Sequence, residues 1–295
     1  MSKEVEIVKR EGIVTLSESN YHADTVADVP SLSSSIAKIL CAESPLHAWT
    51  AHPRLNPNFV REEKEIFDLG GVAHALMLEG EDHACVLDYA DWRSKDARQA
   101  RDDARAMGRT PILTKHWNRV QAMIKAGKDQ IAAHREAKDA FLEGNGLPEE
   151  TLVWTDDHGV VCRARPDWIK NGKKRIFDYK GTGTSVNPES LGRFAVSQGW
   201  DIQSAFYLRG IQKLFGIDAE FFFVAQEDYP PYALTVAGMP PPFRWIGDKK
   251  VQMAIDLWAQ CLESGKWPAY SDRIIYPDLP AFVEAAFLEK ELKQQ

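Results

Sequence analysis

Asp167, Asp178 and Lys180 carry the strongest chemical signal in the chain. They fall in the run Arg163-Ala-Arg-Pro-Asp167-Trp-Ile-Lys-Asn171-Gly172-Lys-Lys-Arg-Ile-Phe-Asp178-Tyr-Lys180. Asn-Gly between apolar, β-forming residues is the strongest short hairpin signal. With Asn171 and Gly172 as the whole loop, Asp167 faces Ile176 and stands one diagonal step from Asp178. Side chains alternate across a sheet, so Asp178 and Lys180 share a face, and this pairing puts Asp167 on it too. Diagonal neighbours stand ~7–8 Å apart at the backbone, within reach of a shared ion. Pro166 has no N–H, so the register holds only if it introduces no bulge.

Two carboxylates and a lysine on one face suit metal-assisted hydrolysis of a phosphodiester. Hard oxygen ligands select Mg²⁺, with Mn²⁺ as a substitute. Such an ion polarises the phosphate and lowers the pKa of bound water. A lysine beside it orients the water or stabilises charge developing on phosphorus. Arg163 and Arg165 alternate onto the Asp167 face, as phosphate contacts or as charge balance for Asp178. Glu150, just before the first strand of this region, is an accessory acid or a surface residue.

The chain that must position these groups has 295 residues, 44% of them apolar and 27% charged. That balance excludes wholesale disorder and fibrous architecture. No stretch approaches the ~18–20 apolar residues of a membrane span, and Met1 to Arg10 lacks the basic-then-apolar pattern of a secretory signal. A cytoplasmic protein without membrane contact is expected. The four cysteines, at 41, 85, 162 and 261, form no CxxC pair. A structural zinc knuckle is therefore disfavoured, and reduced, mostly buried thiols are expected. Net charge is −7, so any nucleic acid must meet a locally basic groove in an acidic molecule.

Residues 1–30 show no sustained period and read as an extended N-terminal arm ahead of a single domain, 31–295. Ser33 and Ser34 precede a helical pattern through Leu40, and Ser44-Pro45 opens another through Trp49. Helical spacing recurs from Glu62 to Leu78, over 94–107, from Thr114 through Ile124, and again up to Leu142. This part, 31–148, is mainly helical. Over 149–270 the pattern changes to that of a catalytic sheet core. It has strands at Thr151–Trp154, Val160–Ile169 and Arg175–Lys180, then helices at Pro188–Ser197 and Trp200–Phe215. A strand at Ala219–Ala225, an edge strand at Tyr232–Val236 and a helix at Lys249–Ser264 complete it. Residues 271–295 read as a tail. The order describes a mixed α/β fold, a central mixed sheet flanked by helices, with an N-terminal helical layer.

Pro166-Asp167, ten residues, then Asp178-Tyr179-Lys180 resembles the signature of the PD-(D/E)XK nuclease superfamily. Gly70-Gly71-Val72-Ala73-His74-Ala75-Leu76-Met77-Leu78-Glu79-Gly80 resembles the upstream helix of the RecE-type exodeoxyribonuclease VIII branch. Gln203-Ser-Ala-Phe-Tyr207 is similar to the Gln-x-x-x-Tyr motif of RecB-like nucleases, and Leu32-Ser33-Ser34-Ser35 and Ser44-Pro45 also fit. The resemblance spans roughly residues 31 to 270. It implies a restriction-endonuclease-like core and metal ligation by Asp167, Asp178, the Tyr179 backbone carbonyl and His74. It further implies water activation by Lys180, and Gln203 and Tyr207 directed at the site and the DNA backbone. As activity it implies Mg²⁺-dependent 5′-to-3′ digestion of linear duplex DNA, leaving 3′ overhangs for single-strand annealing. As partners it implies duplex ends, a RecT-type annealing protein and further copies of the chain in a ring. A RecB-like nuclease of other polarity, of the CRISPR-adaptation or helicase-linked type, is a second reading. The iron–sulfur cluster many of those carry is not expected, because only Cys261 follows the lysine. A catalytically idle DNA-binding or assembly module is a third.

Overall fold

The structure, a computed structural model, describes residues 10–60, 65–78 and 84–293. Its first half runs β1 (Gly12–Val14), α1 (Glu18–His22), β2 (Leu32–Ser33), α2 (Ser34–Ala42), α3 (Pro45–Ala51), α4 (Glu65–Leu78), β3 (Ala84–Leu87), α5 (Lys95–Ala106), β4 (Thr110–Leu113) and α6 (Thr114–Ala133). Its second half runs β5 (Gly146–Pro148), β6 (Thr151–Thr155), β7 (Val161–Ala164), β8 (Trp168–Lys170), β9 (Arg175–Thr182), α7 (Pro188–Ser197), α8 (Trp200–Phe215), β10 (Glu220–Glu227), β11 (Leu234–Gly238), α9 (Pro241–Ser264) and α10 (Ala281–Leu292).

A five-stranded mixed sheet, ordered β11-β10-β9-β8-β5, forms the centre. β9 and β10 are parallel, which requires a crossover, and α7 and α8 supply it. Asn187 caps α7, whose first residue is Pro188. Gly199 and Gly216 take left-handed backbone at the two ends of α8, a conformation that glycine adopts without a Cβ clash. Alternation along β9 sends Ile176 into a core that includes Phe206, Trp200 and Trp258. It sends Phe177 and Tyr179 into a second core with Val72, Met77 and Met123. The sheet is thus covered by α2, α8 and α9 on one face and by α4 and α6 on the other.

The long strand expected over Val160–Ile169 is two strands in two sheets. β7 belongs to a four-stranded sheet, β1-β6-β7-β2, and β8 to the central one. The break spans Arg165 to Asp167, where Pro166 has no N–H to continue a ladder. The hairpin also departs from the two-residue loop. Trp168 pairs with Phe177 and Ile169 with Ile176. Residues 171–174 all lie outside the strands, with left-handed backbone at Gly172 and Lys173. Relative to the expected register the pairing slides by two residues. Asp167 therefore lies across from Asp178 instead of Ile176, and it stays on the same face.

The N-terminal segment is packed from Gly12 onward, not an extended arm; residues 1–9 lie outside the described residues. β1 pairs with β6, and Tyr21 and Asp24 are buried. The helix expected to reach Leu142 is a series of turns after His134. The short parallel pair β3–β4 and helix α10 were not anticipated. Among the described residues no helix is long and apolar enough to cross a membrane.

Candidate active site

Asp167 enters the site from the bend between the two sheets. One of its oxygens, Oδ2, accepts a 2.6 Å hydrogen bond from the Tyr179 N–H. This ties the acid to β9 where the β8 ladder ends. Asp178 is 1% exposed. Its Oδ2 accepts a 2.7 Å hydrogen bond from the Gln203 amide on α8, and its Oδ1 forms an ion pair with the Lys180 ammonium. Lys180 shares the Asp178 face because the two are two positions apart on a strand. The Gln203 oxygen accepts in turn from Lys38 Nζ on α2, at 3.3 Å.

His74, on α4, bridges two acids. Its Nε2 lies 3.0 Å from Asp167 Oδ2 and its Nδ1 lies 3.1 Å from Glu149 Oε1. Burial opposes charge on this ring, but Asp167 and Glu149 outweigh burial and hold its pKa up to about 10. His74 thus stands directly beside Asp167, where the resemblance expects it to join or support a metal site; Glu79 and Gly80 of its motif lie outside the described residues. Burial likewise pushes Asp167 up, and His74, Lys180 and the Tyr179 N–H bring it below the ordinary carboxylate value. Asp178 rises to about 6, through burial and then through the Asp167 charge, against the pull of Lys180. Lys180 is raised: burial lowers it, and the two aspartates more than compensate.

Other expected residues are distributed differently. Glu150 accepts from Thr15 Oγ1, away from the aspartates. Its neighbour Glu149 faces the site, turned by a left-handed backbone, φ 47°, and its Oε2 accepts from Arg165 at 2.7 Å. Arg163 is not placed to meet a phosphate. It is buried against Asp24 Oδ1 at 2.7 Å and the Ser31 carbonyl at 2.8 Å. Tyr207 is buried too, its hydroxyl 3.4 Å from the Arg165 carbonyl oxygen. It braces the strand that delivers Asp167. Sequence reasoning missed Glu149, because one residue of offset hides a turned backbone. It missed Lys38 because the partner lies on a distant helix.

The donor chemistry fits a hard divalent ion. Two adjacent carboxylates repel each other, and the buried Asp178 Oδ1 has only the Lys180 ammonium against it among the described residues. Those residues include no cluster of three or more His, Cys, Asp or Glu side chains arranged to hold a metal. The remaining positions would fall to water and substrate, the usual condition of Mg²⁺ held by one or two carboxylates. Asp167, Asp178 and the Tyr179 carbonyl, with His74 beside Asp167, are the residues that would hold it.

A mixed sheet that presents a Pro-Asp bend beside an Asp-x-Lys strand, covered by helices on both faces, is the PD-(D/E)XK arrangement. Within that class the chain belongs to the family described as a PDDEXK-like domain of unknown function (DUF3799), whose profile matches residues 33–280. The fold is similar to the crystal structure of a Eubacterium rectale protein provisionally named an exonuclease. Its TM-score is 0.60 at 14% identity, covering 92% of this chain and 99% of that one. An alkaline exonuclease from Laribacter hongkongensis aligns more distantly, with a TM-score of 0.29 at 14% identity over 59% of this chain and 85% of that one. No curated protein sequence matches the chain.

Proposed function

We propose that the protein is a metal-dependent DNA exonuclease of the RecE type, using Mg²⁺ or Mn²⁺ and acting on linear duplex ends. One observation carries the reading: Asp167, at the bend just before β8, and Asp178 on β9 stand side by side, with Lys180 on the Asp178 face. Bound there, a divalent ion would polarise the phosphate and acidify its water. The protein's own groups do the rest. His74 and the Tyr179 N–H fix the Asp167 carboxylate, and Gln203 fixes that of Asp178. Lys180 presents an ammonium donor where charge develops as water attacks phosphorus and a P–O ester bond breaks. The provisional name of the Eubacterium rectale neighbour agrees with this reading.

Digestion runs from 5′ ends and leaves 3′ overhangs that a RecT-type protein anneals. The protein encloses DNA as a homo-oligomeric ring, which places basic residues inside and leaves the net acidity outside. The test is digestion of linear duplex labelled at the 5′ or 3′ end with Mg²⁺ present, with closed circular DNA as control. Early release of the 5′ label from linear DNA alone is the expected result. Early release of the 3′ label favours a RecB-like nuclease of other polarity. No digestion of any DNA, or digestion that survives Asp167→Ala, removes the nuclease reading.

A further inference from the structure

Helices α2 and α8 face each other through two matched pairs. Ser34 and Lys38 are four apart on α2, and Gln203 and Tyr207 are four apart on α8, so each pair occupies one side of its helix. Tyr207 lies on the side of α8 near Ser34, and Lys38 donates to Gln203. The start of α2 is fixed beside the acid-bearing bend, because β2 pairs in parallel with β7 and Ser33 caps the helix through the Ile36 N–H. The stem of Lys38 lies over Gly199, where a Cβ would stand 3.1 Å from its Cδ. A glycine at the head of α8 thus leaves a slot along which the lysine reaches the site.

At the end of that slot the charge is poorly matched. Among the described residues the only hydrogen-bond acceptor of the Lys38 ammonium is the neutral oxygen of Gln203. The nearby acids are already held by other cations: Asp178 by Lys180, and Asp201 by Lys250 at 2.6 Å. A half-buried ammonium bonded to a neutral amide loses hydration without gaining a counter-charge. Burial and then the repulsion of Lys180 lower its pKa to about 8, although Asp178 and Asp201 pull the other way. A site in that condition is completed by an anion. The Gln203 amide also has a fixed sense: its nitrogen donates to Asp178 and its oxygen accepts from Lys38.

We propose that Lys38 is a phosphate-binding residue of this site, its ammonium contacting a backbone phosphate of the nucleic acid while it holds the Gln203 amide in its donating orientation. The assignment rests on the nuclease reading and adds to it a second cation, supplied by the N-terminal helical layer and separate from Lys180.

The test compares wild type with Lys38→Met, Lys38→Gln and Lys38→Arg. Steady-state digestion of linear duplex with Mg²⁺ is measured, together with equilibrium binding of the same duplex with Ca²⁺ in place of Mg²⁺ over a salt series. Lys38→Met is expected to raise KM about tenfold or more, with a smaller effect on kcat, since charge-assisted bonds to phosphate are among the stronger ones. The slope of log K against log salt should shrink by about one, the release expected for one phosphate contact. Lys38→Arg should restore both to near wild type. Unchanged KM and unchanged salt slope in Lys38→Met, or in Lys38→Gln should the methionine variant misfold, would overturn the assignment. Wild-type protein that binds duplex with the extra unit of slope yet digests nothing would instead sink the nuclease reading and leave the phosphate contact standing.

Discussion

Each of the two aspartates has a distinct set of supports. Asp167 is gripped by an imidazolium and a backbone N–H; Asp178 by an ammonium and an amide. Their protonation tendencies are pushed apart, which is how neighbouring carboxylates acquire different roles. Lys180→Met should lower the rate of duplex digestion at least about 100-fold, the scale of losing one donor to a developing anion. Far-UV circular dichroism should be unchanged, which separates loss of chemistry from loss of fold. A divalent ion that relieves the repulsion between the acids must also stabilise the native state. At tenfold excess of Mg²⁺ over its dissociation constant the gain is about 1.4 kcal/mol, or roughly 3 °C in Tm. Asp178→Asn should abolish that increment, as read by thermal melts with Mg²⁺ and with EDTA. At this scale the sequence was informative wherever period-two alternation decides: two residues of slide leave Asp167, Asp178 and Lys180 on one face. It misdirected Arg163, expected at phosphate or beside Asp178, because its partner Asp24 lies 139 positions away. It pointed to Glu150 where Glu149 turns inward, because a single left-handed residue changes which neighbour faces the site.

Elements reach the site through a few close approaches. The N-terminal segment is tied to β7 by Asp24, which is fully buried and meets Arg163, the Ser31 N–H at 2.9 Å and His52 at 3.3 Å. Burial raises its pKa, but His52, Arg163 and Ser31 outweigh burial and hold it low. An acid depressed in the folded state contributes stability above its unfolded pKa, near 4, and loses it as pH falls through the folded value. Asp24→Asn suits the left-handed backbone at that position, φ 59°, so it isolates the charge. It should cost about 3 kcal/mol at neutral pH by leaving Arg163 without its counter-charge. Tm measured against pH should show the acid-side fall of wild type reduced in the variant. Gly247 marks another close approach: a Cβ there would overlap the Asp201 carbonyl oxygen on α8. Gly247→Ala should destabilise by about 2–3 kcal/mol through overpacking, seen as a lower denaturation midpoint. Helix ends at Asn187 and Ser33 were readable because capping is local chemistry. The split of Val160–Ile169 was not, since a proline in an apolar run does not reveal that its two sides belong to different sheets.

Across the whole molecule, the helical first half and the sheet-rich second half share one site. α2 and α4 contribute Lys38 and His74, while the bend before β8, β9 and α8 contribute the acids, Lys180 and Gln203. The broad architecture was legible because composition and alternation change near residue 150. Interlocking of the halves was not, because contacts between distant segments leave no periodic trace. The C-terminal end stands apart. Helix α10 has no buried residue, and it exposes Phe282, Phe287 and Leu292. Deleting residues 281–295 should therefore leave the monomer Tm within about 1 °C, as expected for surface changes. Thermal melts of the truncated chain check this. A larger drop would mean that the helix packs on its own core.

The four-residue connection at 171–174 sets a rule for inserting or deleting residues in this ribbon. Adding or removing one residue there, with the strands re-pairing around it, would rotate Asp167 to the opposite side of the sheet and dissolve the pocket. Adding two would displace the acid along the strand yet keep it on the same face of the sheet. Length changes tolerated at this tip should accordingly come in even numbers, and an epitope or fluorophore spliced into it would have to respect the same counting.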